Sequence, residues 1–241
     1  MNFSLHILLN ANDEQSARLQ ELQTAFAEVC NALAPVAQQN RCWNRVALHH
    51  LTYHGLRERF PLMGSQMVCN AIYSVSRSYR LVLQHPASPW NIAKNPEQAI
   101  PLIRFQPGSP VYFDRHTLSL KKGQLSMYTL DGRMRFQLEL KPEDQARFEH
   151  DKLREIVLER VAQGFRLSFW FSPAAEGDDP RNEEPTASGE LPEYLLVVPE
   201  EKNEAESPHA PQQAARQIHA QLQTNNGLNA MKLVKTAEVH A

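Results

Sequence analysis

Residues 125–140 read LSMYTLDGRMRFQLEL. Leu125, Met127 and Thr129 alternate with Ser126 and Tyr128, and Met134, Phe136, Leu138 and Leu140 alternate with Arg133, Arg135, Gln137 and Glu139. A period of two places one set of side chains on each face of a strand, so both halves read as half-buried strands. Asp131-Gly132 between them is a two-residue hairpin turn. This decides the class: the middle of the chain is an antiparallel meander. Lys122-Gly123 supplies a second turn. Further strands are expected at Leu102–Phe105, from Val111 through Phe113 and Leu118 to Leu120, at Phe165–Phe171, and at Tyr194–Val198.

Towards the N-terminus the period changes. Ser4–Leu9 is a short apolar strand. Asn10-Ala11-Asn12-Asp13 then offers capping side chains. Leu19, Leu22, Phe26, Val29 and Leu33 recur at helical spacing, and Pro35 is expected to end that helix. A second helix is expected from Trp43 to Arg59, before Pro61. A third starts near Ser65, with Val68, Ile72, Val75, Tyr79 and Val82 on one face. The segment from His85 to Pro101 reads as a proline-rich linker. Pro142 opens a helix that takes in Phe148, Leu153, Ile156, Val157 and Val161 and closes at Gly164.

One strand, then three helices, then all other strands implies an α+β fold. An antiparallel β-barrel, wedge- or OB-like, is expected from residues 1–10 and 100–199, with one helix near 142–163. Residues 11–99 form a helical insertion after the first strand. Residues 173–192, acidic and rich in Pro, Gly, Ser and Thr, read as a mobile loop, and 200–241 as a polar tail.

The 241 residues carry a net charge of −2, unevenly spread. Residues 41–140 hold thirteen basic and five acidic side chains, whereas 173–241 hold five basic and twelve acidic. A basic middle with an acidic tail is the asymmetry of nucleic-acid binders. No run of about 18 apolar residues occurs, so no membrane association is expected. The N-terminus has no secretory pattern and the three cysteines have no Cys-x-x-Cys spacing, so a reducing cytoplasm is expected.

Candidate contacts follow from that charge. The second helix carries Arg45, His49, Tyr53 and Arg57, and the third carries Tyr73, Arg77 and Arg80 opposite its apolar stripe. Only Glu58 is acidic between residues 41 and 85. Arginine interleaved with aromatics suits phosphate contact and base stacking. Arg133 and Arg135 share a strand face, with Lys121 and Lys122 at the adjoining turn and Arg104 and Arg115 nearby in sequence. Each set has a plainer reading, a solvated or soluble-making face. His50 and His54 could reach one metal, but Leu51 stands where a metalloprotease helix needs Glu. No catalytic set, metal or cofactor is expected.

Three stretches carry a family likeness: NRVALHHLTYHGLRERFPLMGSQMVCNAIYSVSRSY at 44–79, VYFDRHTLSL at 111–120 and LSMYTLDGR at 125–133. In this order they resemble the N-terminal half, the wedge and recognition regions, of TnpB-like RNA-guided transposon nucleases, which are related to type V CRISPR effectors. The resemblance covers roughly residues 1–172. It implies a strand leading into a helical recognition lobe, a return to finish a wedge β-barrel, and a grip on guide RNA or an RNA–DNA duplex. The family's RuvC-like nuclease, with its separated carboxylates, and its zinc ribbon are not read here. A non-catalytic nucleic-acid-binding subunit is therefore expected, with guide-like RNA, target DNA and a separate nuclease or effector chain as partners. The alternative is a protein-interaction or assembly subunit that keeps the fold without binding nucleic acid.

Overall fold

The N-terminal strand, β1 (Phe3–Leu8), finds its partner far along the chain. It pairs antiparallel with β8 (Gly164–Ser172), Phe3 opposite Phe171 and Leu8 opposite Arg166. A lone strand gains nothing by itself, and this pairing brings together segments more than 150 residues apart in sequence. The computed structural model describes residues 3–172 and 191–198. The acidic segment 173–190 and the tail at 200–241 lie outside the described residues. All described residues belong to one compact unit.

Helix α1 (Asp13–Gln39) opens on Asn12, whose side chain accepts from the Gln15 amide while Gln15 returns the bond to the Asn12 amide. This capping box satisfies two of the helix's first free donors. Leu19, Leu22, Phe26, Val29 and Leu33 are buried. The helix does not stop at Pro35 but runs one turn beyond it. Asn31, whose carbonyl loses its partner to the proline, is anchored from its side chain to both backbone groups of Phe105, at 2.9 and 2.8 Å. Burial of Ala37 and the Cys42 amide's bond to its carbonyl hold the last turn.

Helix α2 (Arg45–Arg59) is capped by Asn44, which accepts from the Val46 and Ala47 amides. Helix α3 (Ser65–Gln84) buries its expected stripe and much else: Asn70, Ser74, Ser76 and Ser78 are also buried. Packing against α1, α2 and β3 (Val111–Phe113) encloses it on several sides. Tyr79 donates to the Ala34 carbonyl at 3.0 Å and Ser76 to the Trp43 carbonyl at 2.6 Å, so its buried hydroxyls are used. The stretch after α3 is a packed loop rather than a linker. His85, Ser88 and Asn91 are buried, and Asn91 caps the helix end by donating to the Gln84 and His85 carbonyls.

The remaining strands are β2 (Leu102–Phe105), β3 (Val111–Phe113), β4 (Leu118–Lys121), β5 (Gln124–Thr129), β6 (Gly132–Gln137), β7 (Lys152–Val161) and β9 (Leu195–Val198). They form a four-stranded sheet in the order β1-β8-β7-β3, a three-stranded meander β4-β5-β6 and the pair β2-β9. All pairings are antiparallel. Among the described residues the fold is thus mixed α/β with four helices, and none of the sheets closes into a barrel. Val111–Phe113 and Leu118–Lys121 are separate strands in different sheets, split by the Asp114–Thr117 turn.

The helix expected near 142–163 is corrected. Helix α4 spans only Pro142–His150, and the chain then turns into β7. Ile156, Val157 and Leu158 are all buried, and β-branched residues fit a pleated sheet better than a helix. Gly164 is no helix cap. With φ of +127° it ends the Ala162–Gln163 loop that joins β7 to β8. Phe148 of α4 meets Phe169 and Phe171 edge-on, at 5.1 and 5.0 Å between ring centres, closing the inner face of the large sheet.

Candidate nucleic-acid interface

The outer face of the meander is built by alternation. Leu125, Met127, Met134 and Phe136 point inward and are buried. The opposite positions are Ser119 and Lys121 of β4, Gln124, Ser126 and Tyr128 of β5, and Arg133, Arg135 and Gln137 of β6. Three of these eight are cations and none is acidic. Lys122 and Gly123 form the β4–β5 turn with φ of 49° and 75°, the left-handed pair a tight hairpin requires. This adds the exposed Lys122 at the rim.

Register fixes the arginines. Tyr128 is opposite Arg133, whose guanidinium lies 4.2 Å from the ring centre. The same group donates to the Ser126 carbonyl, the Ser126 hydroxyl and the His116 carbonyl, each at 3.1 Å. Arg133 therefore presents its charge in one orientation and keeps further N–H donors for a ligand. Arg135 is exposed opposite Ser126. The hairpin loop is Leu130–Asp131, one residue earlier than the sequence suggested, with Gly132 opening β6. Both arginines still face outward. Arg18 of α1 fastens this turn, reaching Asp131 Oδ1 at 2.6 Å.

A second cationic group sits on α2. Arg45 is exposed at the helix start, 5.3 Å over the Tyr73 ring, and His49 stacks on Tyr53 at 4.7 Å. Arg57 is half-buried and donates to the Met63 carbonyl, so it also shapes the α2–α3 turn. The two groups are linked through Asp114–Thr117. Gln66 donates to Asp114 at 2.5 Å, Asn70 to Thr117 at 3.4 Å, and Arg133 reaches His116 in the same turn. Burial pushes the Cys69 thiol up, Arg45 and Arg57 pull it down and Asp114 opposes them, which places all three charges within electrostatic reach of it. Arg115 is exposed on this turn.

The α3 residues are placed differently from the open, nucleic-acid-contacting face expected. Tyr73 and Arg77 are half-buried against the large sheet. Tyr73 donates to Glu155 Oε1 at 2.8 Å, and Arg77 Nε lies 3.4 Å from the same oxygen. Arg77 also lies 6.0 Å from the Tyr112 ring centre. Burial would lower the Arg77 pKa, but Tyr112, Glu155, Tyr73 and Tyr194 outweigh it and raise the value. The helix bears no acid there; β7 supplies one. Arg80 is half-buried, and Arg104 is exposed on β2, opposite Leu196 and in a different sheet from the meander.

Sequence reasoning passed over Tyr128 and Glu155. Strand alternation alone puts Tyr128 on the same outer face as Arg133, but its place directly opposite Arg133 depends on the loop being Leu130–Asp131. Glu155 could not be found, because it lay in a stretch read as helix. Among the described residues no group of three or more His, Cys, Asp or Glu side chains could hold a metal ion, and no helix is long and apolar enough to cross a membrane. No protein-family model matches the chain, and no curated protein matches it.

Proposed function

We propose that the protein is a non-catalytic nucleic-acid-binding subunit, gripping guide-like RNA or an RNA–DNA duplex within a TnpB-like or type V CRISPR-like complex. On this reading the antiparallel sheets are the wedge-like scaffold, α1–α3 are the recognition-like insertion, and a separate chain supplies nuclease chemistry. The observation that carries it is the outer face of the meander: Lys121, Arg133 and Arg135 with no carboxylate among them. A solvated face normally mixes both signs, whereas phosphate neutralisation asks for one. Arg45, Arg115 and Lys122 extend the same sign around it.

Fluorescence anisotropy on single-stranded RNA, an RNA–DNA hybrid and duplex DNA across a salt series tests it. Binding at low salt that weakens linearly in log–log form supports the grip, and no binding of any of the three at low salt refutes it.

A second reading, a protein-interaction subunit, is favoured by one feature. Val46, Leu51 and Leu62, on α2 and just after it, are more than half exposed. Charged replacements there leave nucleic-acid affinity unchanged on the first reading and abolish partner capture on the second.

A further inference from the structure

The outer face of the meander holds one side chain that phosphate neutralisation does not use. Tyr128 lies on β5, the central strand, and is 43% exposed even with the Arg133 guanidinium 4.2 Å from its ring centre. Its chain neighbours Met127 and Thr129 are buried, so the core is filled without this ring. A single exposed ring needs no function of its own. The surroundings decide.

On the β6 side, the three hydrogen bonds of Arg133 to Ser126 and His116 hold its guanidinium against the ring. On the β4 side, the Tyr128 amide donates to the Thr117 carbonyl at 2.8 Å, which brings the Asp114–Thr117 turn alongside. The next outward residue along β5 is Ser126, about 7 Å away, flanked by Ser119 of β4 and Arg135 of β6. Both serines are small, so little bulk separates the ring from the following row, where Lys121 stands opposite Gln124. Lys122 continues it at the rim, and exposed Arg115 lies on the turn at the other end. Tyr128 is thus an open ring within a line of cations.

The charge of that line is not neutralised. Arg133 bonds only neutral oxygens. Among the described residues Arg115, Lys121, Lys122 and Arg135 have no ion-pair partner. Asp131 and Asp114 border the line, and both are engaged: Asp131 by Arg18 and Thr129, Asp114 by Gln66 and the amides of its own turn.

We infer that Tyr128 is a stacking platform for an unpaired base, with Arg135 and Lys121 on phosphates to one side of it and Arg115 to the other. The ligand class is then single-stranded nucleic acid, because a base inside a duplex has both faces already stacked. Arg133 fixes the ring from one side and keeps donors for the same strand. This rests on the nucleic-acid reading above and narrows it.

The test uses the full chain and a labelled single-stranded RNA of about 12 nucleotides. It is compared with an abasic strand of equal length, an RNA–DNA hybrid and polyglutamate. Tyr128→Leu keeps apolar bulk and loses the ring, whereas Tyr128→Phe keeps the ring beside Arg133. Stacking predicts that Tyr128→Leu weakens the single strand about 5- to 100-fold, that Tyr128→Phe recovers most of it, and that hybrid binding is unchanged. Wild type should also bind the base-bearing strand more tightly than the abasic one, a readout that needs no variant to fold. Equal affinity for those two strands overturns the platform. So does equal single-strand affinity of Tyr128→Leu and wild type, equal weakness of both variants, or an equal loss on the hybrid. If the platform fails while Arg133→Ala/Arg135→Ala still weakens the hybrid, the meander grip stands without it. Absence of all nucleic-acid binding overturns both. Polyglutamate binding as tight as the RNA overturns the platform in favour of an acidic protein partner.

Discussion

Arg77→Ala separates a structural arginine from a phosphate contact. The Arg77 and Glu155 side chains are 28% and 16% exposed, and their closest approach is 3.4 Å. Removing one partner of a buried ion pair costs about 3–5 kcal/mol, because the other charge stays desolvated. Two features reduce this here. Some water reaches both groups, and Glu155 keeps the Tyr73 hydroxyl at 2.8 Å. We expect a loss of about 2–3 kcal/mol in urea unfolding, as a lowered midpoint with an unchanged slope. Glu155→Gln on top should restore part of it, with a coupling energy of at least about 1 kcal/mol in the double-mutant cycle. A loss under about 0.5 kcal/mol, together with a shallower salt dependence of nucleic-acid binding, would refute the placement and return Arg77 to the solvated face.

Gly123→Ala should cost about 2 kcal/mol or more in thermal unfolding: φ is +75°, and the new Cβ would stand 2.8 Å from the Leu138 carbonyl oxygen. Hydrogen bonds from Arg18 and then Thr129 hold the Asp131 carboxyl below its ordinary value. Whatever stability it lends is present above the ordinary carboxylate pKa and is lost as pH falls through the lowered one. Arg18→Ala should raise the Asp131 pKa in an NMR titration, and an unmoved value would break that link. Burial pushes the Tyr79 hydroxyl up to about 12. Its contribution is full below the ordinary tyrosine value of about 10 and is lost as pH rises towards the folded one. Tyr79→Phe should therefore flatten the stability loss between about pH 10 and 12, read by circular dichroism.

Local periodicity carried most of the secondary structure. The five-residue stripe of α3, the alternation of β5 and β6 and the Lys122-Gly123 turn could all be read because each signal lies within a few residues. The errors came where tertiary packing decided. Leu153, Ile156, Val157 and Val161 suit a helix face or a doubly buried strand, and only pairing with β3 and β8 selects the strand. Pro35 marks a helix end by local rules, yet burial of Ala37 and the Asn31–Phe105 bonds carry α1 past it. At the site, strand alternation placed Arg133 and Arg135 on one face before any coordinates. That Arg77 meets Glu155 across 78 residues of sequence could not be read, since a helical wheel shows which residues share a face but not what is packed against it.

The salt dependence of single-stranded RNA binding, compared between wild type and Arg133→Ala/Arg135→Ala, tests the central claim most directly. Each phosphate contact on a single strand contributes about 0.7 to the log–log slope, so losing two should flatten it by about 1.4 and weaken binding most at low salt. The account predicts that flattening, with only a modest fall in the unfolding midpoint from the loss of Arg133's surface hydrogen bonds to Ser126 and His116. An unchanged slope and affinity in the double variant would contradict it.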